Sequence, residues 1–177
     1  MAWRNDPTHY GLISRAIHWA MALLILGMLV LGTKLSHLQP GLANLWLYGL
    51  HKTGGFIAFT LITLRLIWHV ISPPPGPIGG GWTSRAAVWA HRAIYVLVIA
   101  IPLSGWIASS ATGLDVMFAD RWVVPPIAPV SEAWEYWGFL AHKVLTKVLM
   151  AVLALHVLGA ARRAWQGDGT LRRMISG

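Results

Sequence analysis

Four long apolar segments alternate with shorter polar ones along the 177-residue chain. They cover about residues 13–33, 45–71, 86–109 and 136–161. Each reaches the roughly 20 residues that a helix needs to cross the hydrocarbon core of a bilayer. Because the backbone finds no water there, each segment must satisfy its own hydrogen bonds, and an α-helix does so. The pattern therefore predicts an all-α fold, an integral membrane four-helix bundle.

The connections between these segments carry the residues that end helices. The stretch "SPPPGPIGGGW" at 72–82 predicts a loop between the second and third helices. Ser131, followed by acidic residues, is predicted to cap the fourth helix. Pro102 lies inside the third segment, where a membrane bundle tolerates a kink. Since no internal repeat or low-complexity region interrupts the chain, we predict one transmembrane domain over residues 1–177.

Composition supports a membrane protein and excludes several kinds of site. Hydrophobic residues make up 56% and charged residues 11% of the chain, whereas soluble domains carry about 25% charged residues. The chain has no cysteine, which excludes disulfides, iron–sulfur clusters, thiolate zinc sites and covalent haem attachment. The net charge is +8, but the basic residues flank apolar spans. We therefore expect the chain to contact membrane lipid and not to bind nucleic acid.

The distribution of basic residues predicts an orientation. With a cytoplasmic N-terminus, nine basic residues lie inside and five outside, and the positive-inside rule then places both termini in the cytoplasm. The inner set is Arg4, Arg15, Arg65, Arg85, Arg92, Arg162, Arg163, Arg172 and Arg173, and the outer set is Lys34, Lys52, Arg121, Lys143 and Lys147.

Eight histidines are the main candidates for chemistry. Three of them, His9, His37 and His69, lie before, between or at the ends of spans, and we expect them to be solvated or interfacial. The other five lie within spans or at their edges. An ionisable residue in a span indicates function, although any single one is equally well explained as a hydrogen-bonded core histidine.

Depth in the predicted bundle groups these five histidines into two levels. The antiparallel helix order places His51 and His142 near the outer side, and His18, His91 and His156 near the inner side. His142 and His156 are fourteen positions apart on one helix, which is about 21 Å along nearly the same face. Pairs of imidazoles in an apolar cavity suit haem iron, whereas zinc needs four ligands. Copper stays open, without supporting Met or Cys ligands. Depth alone leaves His18 and His91 as rivals at the inner level.

Two further features have alternative explanations. Arg65 follows His51 by fourteen positions on a similar face, so it is either a partner for a haem propionate or an interfacial, snorkelling arginine. Small residues either leave room for a flat macrocycle or serve helix packing. These small residues are Gly27, Gly32, Gly54, Gly55 and Gly159.

Several motifs resemble those of the bacterial cytochrome b561 family, small di-haem b proteins of the inner membrane. They are "AIHWAM", "YGLHKTGG", "LTLRLIWHVISPPP", "AHRAIYVLVIAIPLSGW", the helix with His142 and His156, and the tail "GDGTLRRMIS". The resemblance implies two haem b groups with axial pairs His18/His156 and His51/His142, in a multi-pass protein of the bacterial inner (plasma) membrane. It makes His91 a supporting or propionate contact.

Three lysines, Lys52, Lys143 and Lys147, are expected around the outer haem, and the family resemblance does not extend to this pattern. They pair propionates, attract an anionic substrate, or snorkel to the interface. We assign no catalytic residue, and these lysines are the candidates for attracting an anion.

The resemblance implies electron transfer to or from ubiquinone, and some relatives look like superoxide oxidases. We therefore predict a superoxide:ubiquinone oxidoreductase that needs no partner protein. All six acidic residues lie outside the predicted spans, so a carboxylate proton relay through the membrane is not expected. The first alternative is a cytochrome b subunit that relays electrons between a partner dehydrogenase or hydrogenase and the quinone pool. The second is a non-redox bundle with structural histidines.

Overall fold

The structure, a computed structural model, describes residues 2–176. Its long helices are α1 (Leu12–Leu35), α2 (Leu45–Ile71), α3 (Trp82–Ala111) and α4 (Glu132–Trp165). Two short strands, β1 (Val116–Phe118) and β2 (Trp122–Val124), precede α4, and a short helix, α5 (Thr170–Ile175), follows it. All four long helices are long and apolar enough to cross a membrane. The predicted membrane four-helix bundle is therefore confirmed.

The helix boundaries follow the signals in the sequence, except at the predicted cap of α4. Helix α3 continues through Pro102, as membrane helices can when neighbouring groups compensate for the lost hydrogen bond. Ser131 does occupy the position before α4, but its side chain makes no capping hydrogen bond. Glu132 and Glu135 lie in the first turn of α4, where their negative charges interact favourably with the positive end of the helix dipole.

The bundle has two ends, which we name by their contents. The terminal face carries the start of α1, the end of α2, the loop before α3 and helix α5. The hairpin face carries the end of α1, the start of α2 and the β1–β2 hairpin. Close backbone packing joins α1 with α2, α2 with α3, and α3 with α4. Side chains of α2 and α4 also meet, at His51 and His142.

An apolar cluster fills the middle of the bundle. It takes Met21 from α1, Ile62 from α2, Leu97 and Val98 from α3 and Leu149 from α4. Ile62 is fully buried. Leu149 lies seven positions from both His142 and His156, so the cluster separates two levels of histidines. Many other apolar side chains point outward, as a lipid-facing surface requires: Leu23, Val30, Leu64, Val70, Leu155 and Leu158 are among them.

The hairpin was not predicted from the sequence. Its strands pair antiparallel from Val116↔Val124 to Phe118↔Trp122, and Ala119 and Asp120 in its turn have positive φ angles of 53° and 50°. The hydroxyl of Thr53 accepts a hydrogen bond from the Ala119 backbone N–H at 2.9 Å. The hairpin is thereby tied to α2 two residues beyond His51.

Candidate functional site

His51 and His142 face each other near the hairpin face. His51 comes from α2 and His142 from α4, and their ring centroids lie 6.0 Å apart with planes at 77°. Bonds between a metal and imidazole nitrogen are about 2 Å long, so two imidazoles on opposite sides of one metal have centroids roughly 6 Å apart. The spacing of the two rings therefore fits one shared iron.

Two glycines from neighbouring helices leave room for these rings. A Cβ at Gly32 of α1 would lie 3.1 Å from the His51 ring, and a Cβ at Gly105 of α3 would lie 3.0 Å from Nδ1 of His142. A Cβ at either position would require the neighbouring imidazole to shift by a few tenths of an ångström. For Gly32 the sequence left two alternatives, room for a macrocycle or helix packing, whereas Gly105 was missed, because only the fold brings its helix against His142.

The backbone of α3 sets the proton position on His142. The carbonyl of Ile101 lies 2.9 Å from Nδ1 of His142, and a carbonyl only accepts hydrogen bonds, which assigns the proton to Nδ1. Nε2 of the neutral ring then keeps its lone pair and can bind a metal. Nδ1 of His51 is buried and has no hydrogen-bond partner among residues 2–176.

A second group of histidines lies toward the terminal face. The rings of His91 and His156 have centroids 5.1 Å apart with planes at 66°. His18 lies within electrostatic range of both His91 and His156. The structure thus brings the three inner histidines together, and it places His91, rather than His18, in ring contact with His156.

Arg65 joins this second group through His18. Its Nη1 lies 3.0 Å from Nδ1 of His18. A guanidinium has donors only, so Nδ1 accepts, and the proton of the neutral ring sits on Nε2. The guanidinium also lies 5.7 Å from the centroid of the Tyr95 ring, and His69 contacts the same ring at 5.8 Å. Tyr95 and the inward contact of half-buried His69 were missed by the sequence analysis.

The remaining predicted residues are less closely engaged. Cβ atoms at Gly27, Gly55 and Gly159 would meet nothing within 4 Å, whereas one at Gly54 would meet the sulfur of Met28. Gly54 therefore serves packing between α1 and α2.

The lysines lie near the hairpin face. Lys143 and Lys147 are exposed, and Lys52 is half-buried. Lys143 lines an open groove that Glu132 and Glu135 also line. Lys147 lies one helical turn further toward the middle of the bundle.

The donor set suits a macrocyclic iron better than a bare ion. The facing pairs offer imidazoles, and within residues 2–176 no cluster of three or more His, Cys, Asp or Glu side chains is arranged to hold a metal ion. Haem supplies four ring nitrogens of its own and takes the two remaining ligands from the protein. Paired histidines meet that requirement.

Comparison with known proteins agrees with this geometry. A family model described as prokaryotic cytochrome b561 matches residues 9–177. The chain is also 32% identical over 181 aligned residues to cytochrome b561 homolog 2 of Escherichia coli (strain K12), covering 99% of this chain and 95% of that protein. Both matches extend over nearly the whole chain and include all five histidines of the two levels.

Proposed function

The chain belongs to the prokaryotic cytochrome b561 family, and on that premise we propose that it passes electrons from superoxide to ubiquinone by way of two haem b groups. Membership itself makes the chain a multi-pass bacterial membrane cytochrome that binds haem b and transfers electrons across the membrane. When bound, haem supplies reversible one-electron chemistry at its iron. The protein would supply the histidine ligands, hold the haems at two depths in the membrane and set the charge around them.

The facing pair of His51 and His142 carries the proposal. Their 6.0 Å ring separation and the glycines behind both rings favour ligation of a first haem by this pair. The Nδ1 contact with the Ile101 carbonyl would leave Nε2 of His142 as its ligating atom. Ligating histidines in proteins usually donate their second N–H to a carbonyl or carboxylate. His142 has that partner in place.

His18 and His156 are our assignment for the second haem. They stand on α1 and α4, which both contribute residues to the apolar cluster. The competing ligand is His91, whose ring already contacts His156. His91 lies within α3 rather than at its start, and we assign it a supporting contact because the family resemblance pairs His18 with His156. In the present arrangement Nδ1 of His18 accepts from Arg65 and Nε2 carries the proton, so ligation through Nε2 would require the proton to move to Nδ1 and the Arg65 contact to break. Arg65 would still lie beside that haem.

Electrons and protons balance when superoxide is the donor and ubiquinone is the acceptor. Two superoxide ions each lose one electron and become dioxygen, while ubiquinone takes up two electrons and two protons and becomes ubiquinol. The lysines at the hairpin face attract a small anion. The acids lie in loops, the hairpin, the tail or the first turn of α4, so we propose that quinone protons come from water at the membrane surface.

We further propose that the chain forms one domain whose termini both lie in the cytoplasm. The hairpin face then lies on the outer side of the inner membrane. The basic residues of the terminal face support this orientation. A periplasm-dependent reporter enzyme, such as alkaline phosphatase, fused to the C-terminus is expected to be inactive. An active fusion would place the terminal face outside.

Haem content and ligand substitutions test the assignment directly. Purified protein is expected to contain two haem b groups per chain, measured by reduced-minus-oxidised spectra and haem extraction. His51→Leu and His142→Leu should each leave the same single haem, and His18→Leu and His156→Leu should each leave the other. His91→Leu should keep both.

Loss of a haem in His91→Leu, with both retained in His18→Leu, would reverse the assignment at the terminal level. Retention of both haems in His51→Leu would contradict the proposal as a whole. Reduction of ubiquinone by superoxide is measured on the purified protein in the absence of any partner protein. If only a co-purifying dehydrogenase or hydrogenase reduces the haems, the chain is a relay subunit instead.

A further inference from the structure

The C-terminal tail has no part in the proposed electron path, yet it is folded against the bundle. Asp168 links the end of α4 to the tail. Its carboxylate accepts hydrogen bonds from the backbone N–H of Thr170 at 2.8 Å and from Nη1 of Arg163 at 3.1 Å. The six-residue helix α5 follows. The sequence "GDGTLRRMIS" therefore specifies a structured element at the terminal face rather than a loose end.

Side chains of α1 hold α5 in place. Nη1 of Arg15, which is buried, donates to the carbonyl of Ile175 at 2.7 Å, and Nε1 of Trp19 donates to the carbonyl of Met174 at 2.9 Å. On the other side, Nη1 of Arg173 donates to the carbonyl of Gly76 at 3.2 Å. These bonds fix the tail between α1 and the loop that follows α2.

A groove of about 590 Å³ opens beside this docked tail. Three segments form its walls: residues 7–9 before α1, residues 76–78 of the loop after α2, and Gly169, Arg172 and Arg173 of the tail. Because α1 begins at Leu12 and α2 ends at Ile71, the groove lies where the apolar helices leave the membrane. The exposed side chains of Val70 and Ile71 at the end of α2 offer apolar surface at the same level.

The charge of the groove is positive. Arg172 is exposed at its rim. Nε of Arg173 is buried and has no hydrogen-bond partner within residues 2–176, and its guanidinium lies 5.9 Å from the ring of Tyr10. Burial raises the pKa of Tyr10, so this phenol remains uncharged at neutral pH. The groove thus offers two guanidinium groups with unused donor capacity.

The acids nearest in sequence to the groove walls are already engaged elsewhere. Hydrogen bonds from Thr8, with a smaller contribution from His9, lower the pKa of Asp6 to about 2, so this carboxylate is bound within its own turn. Asp168 is ion-paired with Arg163. His9, the other titratable group of the walls, contacts Thr8 and Asp6.

We propose that this groove binds the phosphate of an anionic phospholipid headgroup. Guanidinium groups pair phosphate oxygens through directed, charge-assisted hydrogen bonds, and basic pockets at the ends of membrane helices suit such headgroups. The location at the membrane surface and the adjoining apolar side chains select a lipid over a soluble phosphate.

Lipid retention tests the proposal. Full-length protein in nonionic detergent is mixed with equal amounts of phosphatidylglycerol and phosphatidylcholine, and native mass spectrometry counts the lipids retained. We expect a preference for phosphatidylglycerol that falls about fivefold in Arg172→Gln, as the loss of one arginine near an anionic surface implies. Arg172→Gln leaves the Arg173 bond to Gly76 intact, so the tail stays docked. The double variant R172Q/R173Q should lose the preference.

The matched control is R85Q/R162Q, which removes two exposed arginines that do not line the groove. An equal loss of preference in this control would mean general charge attraction and would overturn the site. Inorganic phosphate alone separates the two phosphate sources. If it raises the melting temperature as much as phosphatidylglycerol does, and Arg172→Gln abolishes both effects, the ligand is free phosphate and the lipid proposal fails. Unchanged haem content in every variant confirms that the fold is intact.

Discussion

At the scale of single residues, backbone features of neighbouring helices position the histidines at the hairpin level. Gly32 and Gly105 lie behind the rings of His51 and His142, and the Ile101 carbonyl orients one of them. The carbonyl of Ile101 also accepts a hydrogen bond from the Ser104 hydroxyl at 2.7 Å. Helix α3, which contributes no proposed ligand, therefore positions His142, a proposed ligand on α4.

Gly105→Ala tests this positioning role. The added Cβ would lie 3.0 Å from Nδ1 of His142, so we expect the ring to tilt away from the Ile101 carbonyl. Haem content should fall below two per chain, with the loss confined to the haem that His51→Leu also removes. Gly27→Ala adds the same methyl group on α1 where nothing lies within 4 Å, and it should keep both haems. Full haem content with an unchanged spectrum in Gly105→Ala would contradict the role.

Arg65 provides the second prediction at this scale. Its positive charge beside His18 favours the reduced form of a nearby haem, because reduction adds an electron. Arg65→Gln should therefore lower the midpoint potential of the terminal-level haem, by roughly 50 mV for a charge interaction on the order of 1 kcal/mol. Redox titration measures this change.

Two comparisons make the Arg65 experiment specific. Arg65→Lys keeps the charge and should retain most of the potential, although it loses the planar donor fork. The hairpin-level haem serves as an internal reference, since the two levels are about 21 Å apart along α4. Equal shifts of both potentials would show a general structural change rather than a local charge effect.

The positions of the histidines along the membrane normal were predictable from the sequence, because residue type and position along a spanning helix are enough to give depth. The spacing of His51, His142 and His156 placed them at two levels before any contact was known. Gly105 and Ile101 were not predictable, because their roles depend on which face of α3 meets α4. The contact between His91 and His156 was likewise left open, since depth alone does not distinguish His91 from His18.

At the scale of elements, α3 and α4 are the closest-packed helix pair. A Cβ at Gly138 of α4 would lie 2.8 Å from the Cβ and 3.0 Å from the Cα of Ala108 on α3, and Ala108 is fully buried. The backbones approach so closely because both positions carry small residues, as is common between membrane helices. This contact lies on the hairpin side of His142 and so supports the ligand helix.

Gly138→Ala is expected to force these helices apart. Overpacking of a tight contact costs about 1–3 kcal/mol, and the opposing atoms here include backbone, which cannot rotate away. We expect a lower melting temperature, followed by loss of the haem absorbance on heating, with the hairpin-level haem released first. Gly27→Ala again serves as the control, and its melting temperature should not fall. If Gly138→Ala melts like the parent chain, the close approach of α3 and α4 is not a determinant of stability.

Long elements followed from composition, whereas short ones did not. Four apolar runs are sufficient to predict four spanning helices because the membrane allows few alternatives. The β1–β2 hairpin has three residues per strand, too few for a pattern, and it relies on Thr53 of α2 for an anchor. Helix α5 depends on buried Arg15 and on Trp19. Tertiary contacts decide both elements.

At the scale of the whole molecule, the two faces of the bundle differ in chemistry. The terminal face combines Arg65, Tyr95 and the docked tail with its basic groove. The hairpin face combines the His51/His142 pair with three lysines and a strand hairpin. An apolar cluster separates the two levels. This asymmetry places the proposed capture of superoxide at the hairpin face, apart from the basic groove of the terminal face.

The lysines of the hairpin face allow a quantitative test of that division. If they attract superoxide by long-range field, the rate constant for haem reduction by superoxide should fall in K52Q/K147Q, by about twofold to fivefold at low ionic strength. Because exposed charges are screened within about 3 Å at 1 M salt, parent and variant rates should converge there. The control R85Q/R162Q removes the same charge near the opposite face and should leave the rate nearly unchanged. Lys143 is left in place because it adjoins His142 in the sequence, and its substitution would not separate a field effect from a shift of that histidine. A rate loss in K52Q/K147Q that persists at 1 M salt would mean that the lysines act by direct contact, with a propionate or with the ligand helix, and would remove the argument for attraction of an anion.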